Sequence, residues 1–241
     1  GIAPALSLID TRERDLQKVE VLAMGAEEFS DPEHAPLPSV PFELETITGQ
    51  LWPGRVFLNE EFTLTNLQNF SDLEAVGIIH LATHGEFRAE DISESYIQLS
   101  DRKLSLAELK NLGLENPLVE LMVLSACHTA LGDRGSEFGF AGLAVAAGVK
   151  SALGSLWYVS DEATLTLMTS FYGNLRDAPI KAEALRQAQL AMIRGQARLE
   201  GGKLITEEGS FDLPPQLVAL GDRNFEHPYY WSGFTMIGNP W

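Results

Sequence analysis

The chain has 241 residues, a formal net charge of −17 at pH 7 and a single cysteine. This length predicts one large α/β domain or a domain with insertions, and the acidic balance argues against DNA or RNA as a partner, because a polyanion would be repelled. A lone cysteine forms no intramolecular disulfide, and the sequence shows neither a long apolar run nor a signal segment. We therefore expect a cytoplasmic protein that contacts neither nucleic acid nor a membrane.

Short apolar runs alternate with amphipathic stretches along the chain, a pattern typical of βαβ units and a mostly parallel sheet. Strands are predicted at residues 19–26, 54–62, 75–85, 118–127, 151–157 and 227–238. The run from residue 76 to 81 is almost uniformly apolar, which favours a central strand covered by helices on both faces. Residues 95–106 alternate between polar and apolar around Asp101 and Arg102, which predicts a hairpin at one edge.

Amphipathic segments preceded by capping residues predict the helices that cover this sheet. They lie at residues 42–49, 64–70, 106–113, 138–148, 161–175 and 180–199. Thr63 and Ser105 each precede one of these helices and are suited to cap it. Residues 200–226 are rich in glycine and acidic side chains, and we expect a long loop there.

Residues 1–18 are interpreted as the end of an upstream region or linker, and residues 19–241 as the domain. The chain starts with Gly1 rather than methionine, and the charged stretch "DTRERDLQKVE" is typical of the tail of a preceding segment. We therefore expect this sequence to be part of a larger polypeptide.

Two chemically apt side chains lie at predicted strand ends. His84 follows "IIHLAT" and Cys127 follows "LMVLSA", and groups at the carboxyl ends of parallel strands meet at one edge of the sheet. A free thiol is only about 3% thiolate at pH 7, so a neighbouring histidine has a definite purpose: it accepts the thiol proton and later protonates a leaving amine. Gly85 lacks a Cβ, and its amide could approach a substrate carbonyl in an oxyanion hole, with the Cys127 amide as the second donor.

Simpler explanations compete with this dyad. A lone cysteine at the end of an apolar strand is more often a buried core residue, and His80 in "IIHLA" fits a hydrogen-bonded core histidine better than a catalyst. His128 is adjacent to the thiol in sequence, but successive residues leaving a strand point in opposite directions, so its geometry is worse. His84 precedes Cys127 by 43 residues; caspases place the catalytic histidine about 50 residues before a cysteine in an Ala-Cys context, which favours the dyad.

The sequence resembles the CHAT domain, a caspase-like peptidase module often attached to tetratricopeptide repeats and related to separase, gingipain and caspases. The stretches that carry the resemblance occur in order over nearly the whole chain: "VLAMGAEEF", "RVFLNEEFTLTNL", "IIHLATHGEF", "KLSLAEL", "MVLSACHTALG", "GFAGLAVAAGVKSALGSLWYVSDEAT", "AEALRQAQLAM" and "HPYYWSGFTMIG". The resemblance implies a caspase–haemoglobinase-like three-layer sandwich, with a mostly parallel central sheet flanked by helices. It also implies a cysteine endopeptidase whose dyad is His84 and Cys127, with Gly85 in the oxyanion hole.

A specificity pocket is implied as well. In related separases, an aspartate in a segment similar to "LWYVSDEAT" selects arginine before the scissile bond, and this position corresponds to Asp161. An acidic residue here is equally suited to the N-terminus of the predicted helix. His128 departs from the family pattern, in which an acidic or amide residue often follows the cysteine, and its role stays open.

Two functions of different class follow from these observations. The first is a cysteine endopeptidase that needs no cofactor or metal, cleaves a protein or peptide substrate, and is regulated by an upstream helical-repeat region or a regulatory protein. The second is a catalytically inactive caspase-like module for interaction or signalling. An α/β hydrolase is disfavoured because the chain contains no G-x-S-x-G elbow.

Overall fold

A computed structural model of the chain describes residues 15–69, 75–88, 91–115, 119–125, 128–129 and 139–241. Its strands, in chain order, are β1 (Glu20–Gly25), β2 (Gly54–Leu58), β3 (Val76–Ala82), β4 (Gly85–Phe87), β5 (Tyr96–Gln98), β6 (Lys103–Ser105), β7 (Leu121–Leu124), β8 (His128–Thr129), β9 (Ser151–Ser155), β10 (Arg198–Glu200), β11 (Lys203–Thr206), β12 (Gly209–Asp212), β13 (Arg223–Asn224) and β14 (Phe234–Gly238). Its α-helices are α1 (Val40–Thr46), α2 (Leu64–Gln68), α3 (Leu106–Lys110), α4 (Gly139–Ala146), α5 (Asp161–Leu175), α6 (Lys181–Ile193) and α7 (Pro215–Val218). Within the described residues, no helix is long and apolar enough to cross a membrane.

Six of the strands form the central sheet, in the order β14-β9-β7-β3-β1-β2. Neighbours from β9 to β2 pair in parallel, and β14 joins β9 in the antiparallel direction at one edge. Leu81 near the end of β3 pairs with Met24 of β1 and with Leu124 of β7. The carboxyl ends of these three strands therefore lie side by side, and the residues that follow them are brought to the same edge.

Both faces of the central sheet are buried, as the apolar strand patterns predict. Val21 and Ala23 belong to one hydrophobic cluster, whereas Leu22 and Met24 belong to another, because successive side chains of a strand point to opposite faces. Helices α1, α5 and α6 pack into the first cluster and helices α2, α3 and α4 into the second. The result is the predicted three-layer sandwich around a mostly parallel sheet.

Several local predictions are confirmed by the hydrogen bonds at helix ends. Thr63 caps α2 by accepting from the amide of Asn66, and Ser105 caps α3 in a reciprocal capping box with Glu108. The predicted hairpin at residues 95–106 forms from β5 and β6. These two strands join β4 and β8 in a second sheet, of order β6-β5-β4-β8. Strand β4 of this sheet begins directly after His84.

The prediction of a long loop at residues 200–226 is wrong. Strands β10 to β13 form a four-stranded antiparallel sheet there, in the order β12-β11-β10-β13. Gly201 and Gly202 adopt positive φ angles of 59° and 74° and join Glu200 to its partner Lys203, which is the two-residue turn that matches the twist of a hairpin. The alternating side chains Leu199, Leu204 and Phe211 are buried in the core.

Candidate active site

His84 lies between β3 and β4 and is only 4% exposed. Its contacts come from residues 26–39, which join β1 to α1 and are called the β1–α1 segment below. His84 Nε2 is 2.7 Å from the carbonyl oxygen of Ala35. The His34 ring stacks on His84, with ring centroids 4.8 Å apart and an angle of 11° between the planes, and Phe29 makes an edge contact at 4.8 Å. One segment thus encloses the imidazole.

The Ala35 carbonyl determines the tautomer of the imidazole. A carbonyl oxygen only accepts hydrogen bonds, so His84 Nε2 carries the proton in this contact. In the neutral ring the lone pair then resides on Nδ1, which is the atom able to take a proton from a nucleophile. In this tautomer the neutral His84 ring can accept a proton at Nδ1.

A cavity of about 440 Å³ opens beside His84. The other described residues that line it are Glu33, His34, Ala35, Gly85, Glu86, Tyr96 and Tyr158. Glu86 accepts a hydrogen bond from Arg88 over 2.7 Å, and this contact lowers the pKa of the Glu86 carboxyl. The predicted pair His84 and Gly85 therefore lines one cavity together with two glutamates and two tyrosines.

Cys127 lies outside the described residues, and so does the side chain of His128. The chain on either side of the cysteine is described. The amide of Ser125 donates to the carbonyl oxygen of Leu81 in β3 over 3.1 Å, and His128 pairs through its backbone with Glu86 of β4. Both anchors are on the strands that flank His84.

Asp161 opens α5, and its Oδ2 accepts a hydrogen bond from the amide of Ser39 over 2.6 Å. Ser39 is the N-cap residue of α1, so the carboxylate ties the start of α5 to the end of the β1–α1 segment. Burial raises the pKa of Asp161 to about 7, against the opposing effect of the Ser39 hydrogen bond. Among the described residues that line the cavity, Tyr158 is present and Asp161 is not.

His80 is a core histidine, as its sequence position predicts. Its side chain is completely buried, and Nε2 lies 2.8 Å from Glu43 Oε1 while Nδ1 lies 3.1 Å from the Tyr172 hydroxyl. Burial raises the pKa of Tyr172 well above its ordinary value, so the hydroxyl stays protonated. Both ring nitrogens of His80 are engaged inside the core rather than at the sheet edge.

The family model described as CHAT domain matches residues 1–239. The chain belongs to the CHAT domain family. The resemblance predicted from the sequence motifs is thereby confirmed, and the chain is a caspase-like, peptidase-related module. A comparison with curated proteins found no match.

Sequence reasoning missed the three residues that contact the His84 ring in this CHAT domain: Phe29, His34 and Ala35. The available signal was positional, because the segment that carries them follows the first strand and must start at the carboxyl edge of the sheet. Only the fold brings this segment onto the His84 ring. The backbone carbonyl of Ala35 has no sequence signature at all, since every residue carries one.

Metal binding finds no support in the described part of the CHAT domain. No group of three or more His, Cys, Asp or Glu side chains there could hold a metal ion. The His34 and His84 rings lie face to face, and such stacking does not aim two ring nitrogens at one ion. That the domain works without a cofactor or metal stays a prediction.

Proposed function

We propose that this CHAT domain is a cysteine endopeptidase in which His84 activates the thiol of Cys127. The observation that carries the proposal is the hydrogen bond from His84 Nε2 to the Ala35 carbonyl, which leaves Nδ1 as the basic atom at the carboxyl edge of the sheet. General acid–base help from such a histidine is typically worth about 10²–10⁴-fold in rate.

Chain connectivity supports the pairing of His84 with Cys127. Ser125 is bonded to β3 and His128 is paired with β4, the two strands on either side of His84. Two residues join these anchors, and consecutive Cα atoms are about 3.8 Å apart. So short a connection supports the proposed pairing of Cys127 with His84.

The proposed reaction has two halves. In the first, the Cys127 proton passes to His84 Nδ1, the thiolate sulfur bonds to the substrate carbonyl carbon, and the amides of Gly85 and Cys127 stabilise the oxyanion. Collapse breaks the C–N bond, and His84 returns the proton to the leaving amine. In the second half, water bonds to the thioester carbon and gives its proton to His84. The C–S bond then breaks, His84 passes that proton to the sulfur, and the carboxylic acid and the free thiol are released.

We propose that the enzyme prefers a basic residue before the scissile bond and that the Asp161 carboxylate binds this side chain. Two further carboxylates line the cavity beside His84, Glu33 and Glu86, of which Glu86 is already bonded to Arg88. The ring of Tyr158 lines it as well. Tyr158 precedes Asp161 by three residues; burial raises the pKa of the Tyr158 hydroxyl, and the charge of Asp161 raises it further. The net charge of −17 favours the approach of a basic peptide in the same sense.

Regulation by an upstream helical-repeat region or a partner protein is part of the proposal. The enclosure of His84, only 4% exposed, is consistent with a site that must be made accessible. The full-length protein and this chain should cleave the same peptide at different rates. Equal cleavage rates would refute the proposed regulation but not the proposed peptidase activity.

The decisive experiment uses a peptide library with Arg, Lys, Asp or Met before the scissile bond. Wild type should cleave the basic members, Cys127→Ala should show no turnover, and His84→Ala should lose at least about 10²-fold in kcat/KM. His227→Ala, at an exposed histidine that does not line the cavity, is the matched control. Turnover that survives in Cys127→Ala would refute the dyad.

Iodoacetamide alkylation separates the peptidase from an inactive interaction module. Cys127 is the only cysteine in the chain, so the incorporated label reports on it alone. An activated thiol reacts at pH 6 much faster than in the His84→Ala variant, whereas a buried structural thiol is nearly inert in both. No peptide turnover together with an inert thiol would support the interaction module.

A further inference from the structure

His34 contacts the proposed base from the cavity side. Its ring lies over His84 nearly in parallel, at 11° and 4.8 Å between centroids, and it lines the same cavity of about 440 Å³. The adjacent residue, Ala35, provides the carbonyl that accepts from His84 Nε2. Two consecutive residues thus act on one imidazole, one through the ring face and one through a ring nitrogen.

His34 is itself held by Tyr96, another residue that lines the cavity. The Tyr96 hydroxyl lies 3.4 Å from His34 Nε2, a long hydrogen bond. The Lys103 ammonium sits 4.1 Å from the centre of the Tyr96 ring and 3.4 Å from a carboxylate oxygen of Asp31. Tyr96 and Lys103 therefore connect the second sheet to the β1–α1 segment at two points.

Hydrogen bonds from two backbone amides, one to a carbonyl and one to a side-chain carboxyl, anchor the β1–α1 segment. The amide of Leu37 donates to the carbonyl of Glu27 over 2.8 Å, and the amide of Ser39 donates to Asp161 over 2.6 Å. Leu37 is buried. The segment is a closed and anchored loop, so a ring that it carries can hold another ring in a defined plane.

A single hydrogen bond does not define the plane of an imidazole. A carbonyl oxygen accepts over a broad range of directions, and the second side-chain torsion of histidine has a broad energy profile. Stacking against a parallel ring adds a constraint on the plane, because rotation of His84 would lose the face-to-face contact. With Nε2 and the plane both set, the direction of Nδ1 is set as well.

We propose that His34 is a positioning residue for His84: its stacked ring fixes the imidazole plane and so aims Nδ1 at the nucleophile. The inference rests on the proposed peptidase function for its effect on rate. The orientation of the His84 ring is nevertheless measurable without any turnover.

Three substitutions separate the ring of His34 from its polar atoms. His34→Phe keeps a flat ring and loses the contact to Tyr96, His34→Gln keeps a polar group and loses the ring, and His34→Ala loses both. We expect Gln and Ala to lower kcat for an arginyl peptide by about 10–100-fold with KM changed less than about threefold, since misplacing a catalytic group mainly affects the chemical step. Phe should restore kcat to within about threefold of wild type.

The second measurement is the long-range ¹H–¹⁵N spectrum of histidine-labelled protein, recorded without substrate. Wild type and His34→Phe should each show one set of sharp, ring-current-shifted signals from the His84 ring. In His34→Gln these signals should shift and broaden, because the plane of the ring is no longer held. If His34→Ala does not fold, the comparison of Gln with Phe decides the matter alone. His227→Ala serves as the control for assignment and for general effects of losing a histidine.

The outcomes distinguish the two claims. A wild-type protein that cleaves nothing, yet shows the predicted spectra, overturns the peptidase and retains the positioning role. A wild type that cleaves, with His34→Gln as active as wild type and with an unchanged His84 spectrum, overturns the positioning role alone. Equal impairment of Phe and Gln also overturns it, because the polar atoms rather than the ring would then matter.

Discussion

Replacing Asp161 by asparagine tests the energetics of one buried carboxyl at the candidate site. Burial raises the pKa of Asp161 in the folded protein from an ordinary value of 3.8 to about 7. Between these pH values the folded protein holds a proton that the unfolded chain has released, so stability is lost as the pH rises toward and past 7. At about 1.4 kcal/mol per pH unit, the separation of about three units sets an upper limit of about 4 kcal/mol.

The assay is urea unfolding of wild type and Asp161→Asn at pH 4 and pH 8, extrapolated to water. Asparagine keeps an oxygen for the Ser39 amide and cannot ionise. The free energy of unfolding of Asp161→Asn relative to wild type should therefore rise by up to about 4 kcal/mol between the two pH values. Asp161→Ala, the control that also removes the acceptor, should show the same pH trend displaced downward by about 1 kcal/mol.

If the free energies of unfolding of wild type and Asp161→Asn differ by the same amount at pH 4 and pH 8, the raised pKa of Asp161 is refuted. Such a result would mean that Asp161 ionises alike in the folded and unfolded chains. The same titration governs the proposed specificity: kcat/KM for an arginyl peptide should rise through pH 7 in wild type as the carboxyl ionises. In Asp161→Asn the preference for arginine over methionine should be lost at every pH.

Three further substitutions test the scaffold by urea unfolding. Glu43→Ala should lower the free energy of unfolding by about 3 kcal/mol, because it strips His80 of a buried partner at 2.8 Å; an effect below about 1 kcal/mol would contradict this. Gly25→Ala should lower the free energy of unfolding by about 1–3 kcal/mol, since the added Cβ would lie 2.5 Å from the Ala82 carbonyl oxygen. An unchanged free energy of unfolding would show that β1 and β3 can move apart without loss. Leu204→Ala should lower the free energy of unfolding by about 2–5 kcal/mol, because the Leu204 side chain is completely buried. An unchanged free energy of unfolding would instead indicate an exposed loop at this position.

Periodic segments were predictable from the sequence to within a few residues. The helix predicted at residues 161–175 is the helix Asp161–Leu175, and the strand predicted at 151–157 is Ser151–Ser155. Helix and strand periods differ, and burial of one face or both makes the period visible in the order of apolar residues. Predicted strand ends extended too far, as at 54–62 against Gly54–Leu58, because pairing with a neighbour rather than local pattern ends a strand.

The antiparallel sheet in residues 198–224 was missed for a related reason. Its strands are two to four residues long. Segments this short do not show a recognisable alternation of apolar and polar residues in a glycine- and acid-rich sequence. Gly201 and Gly202 were interpreted as loop residues, although two glycines between apolar runs also form a tight hairpin turn. The burial of Leu199 and Phe211 against the core is a tertiary fact that short windows do not contain.

The sequence by itself determined the fold class, the family and the positions of the two candidate catalytic residues along the chain, because strand periodicity and ordered motifs are local properties. Only the tertiary structure decided what surrounds His84. The ring of His34, the edge of Phe29 and the carbonyl of Ala35 reach it from about 50 residues away in sequence. Asp161 likewise meets Ser39 across 122 residues. Contacts of this kind depend on how strands are ordered in the sheet, and strand order is set by packing of the whole domain rather than by any one segment.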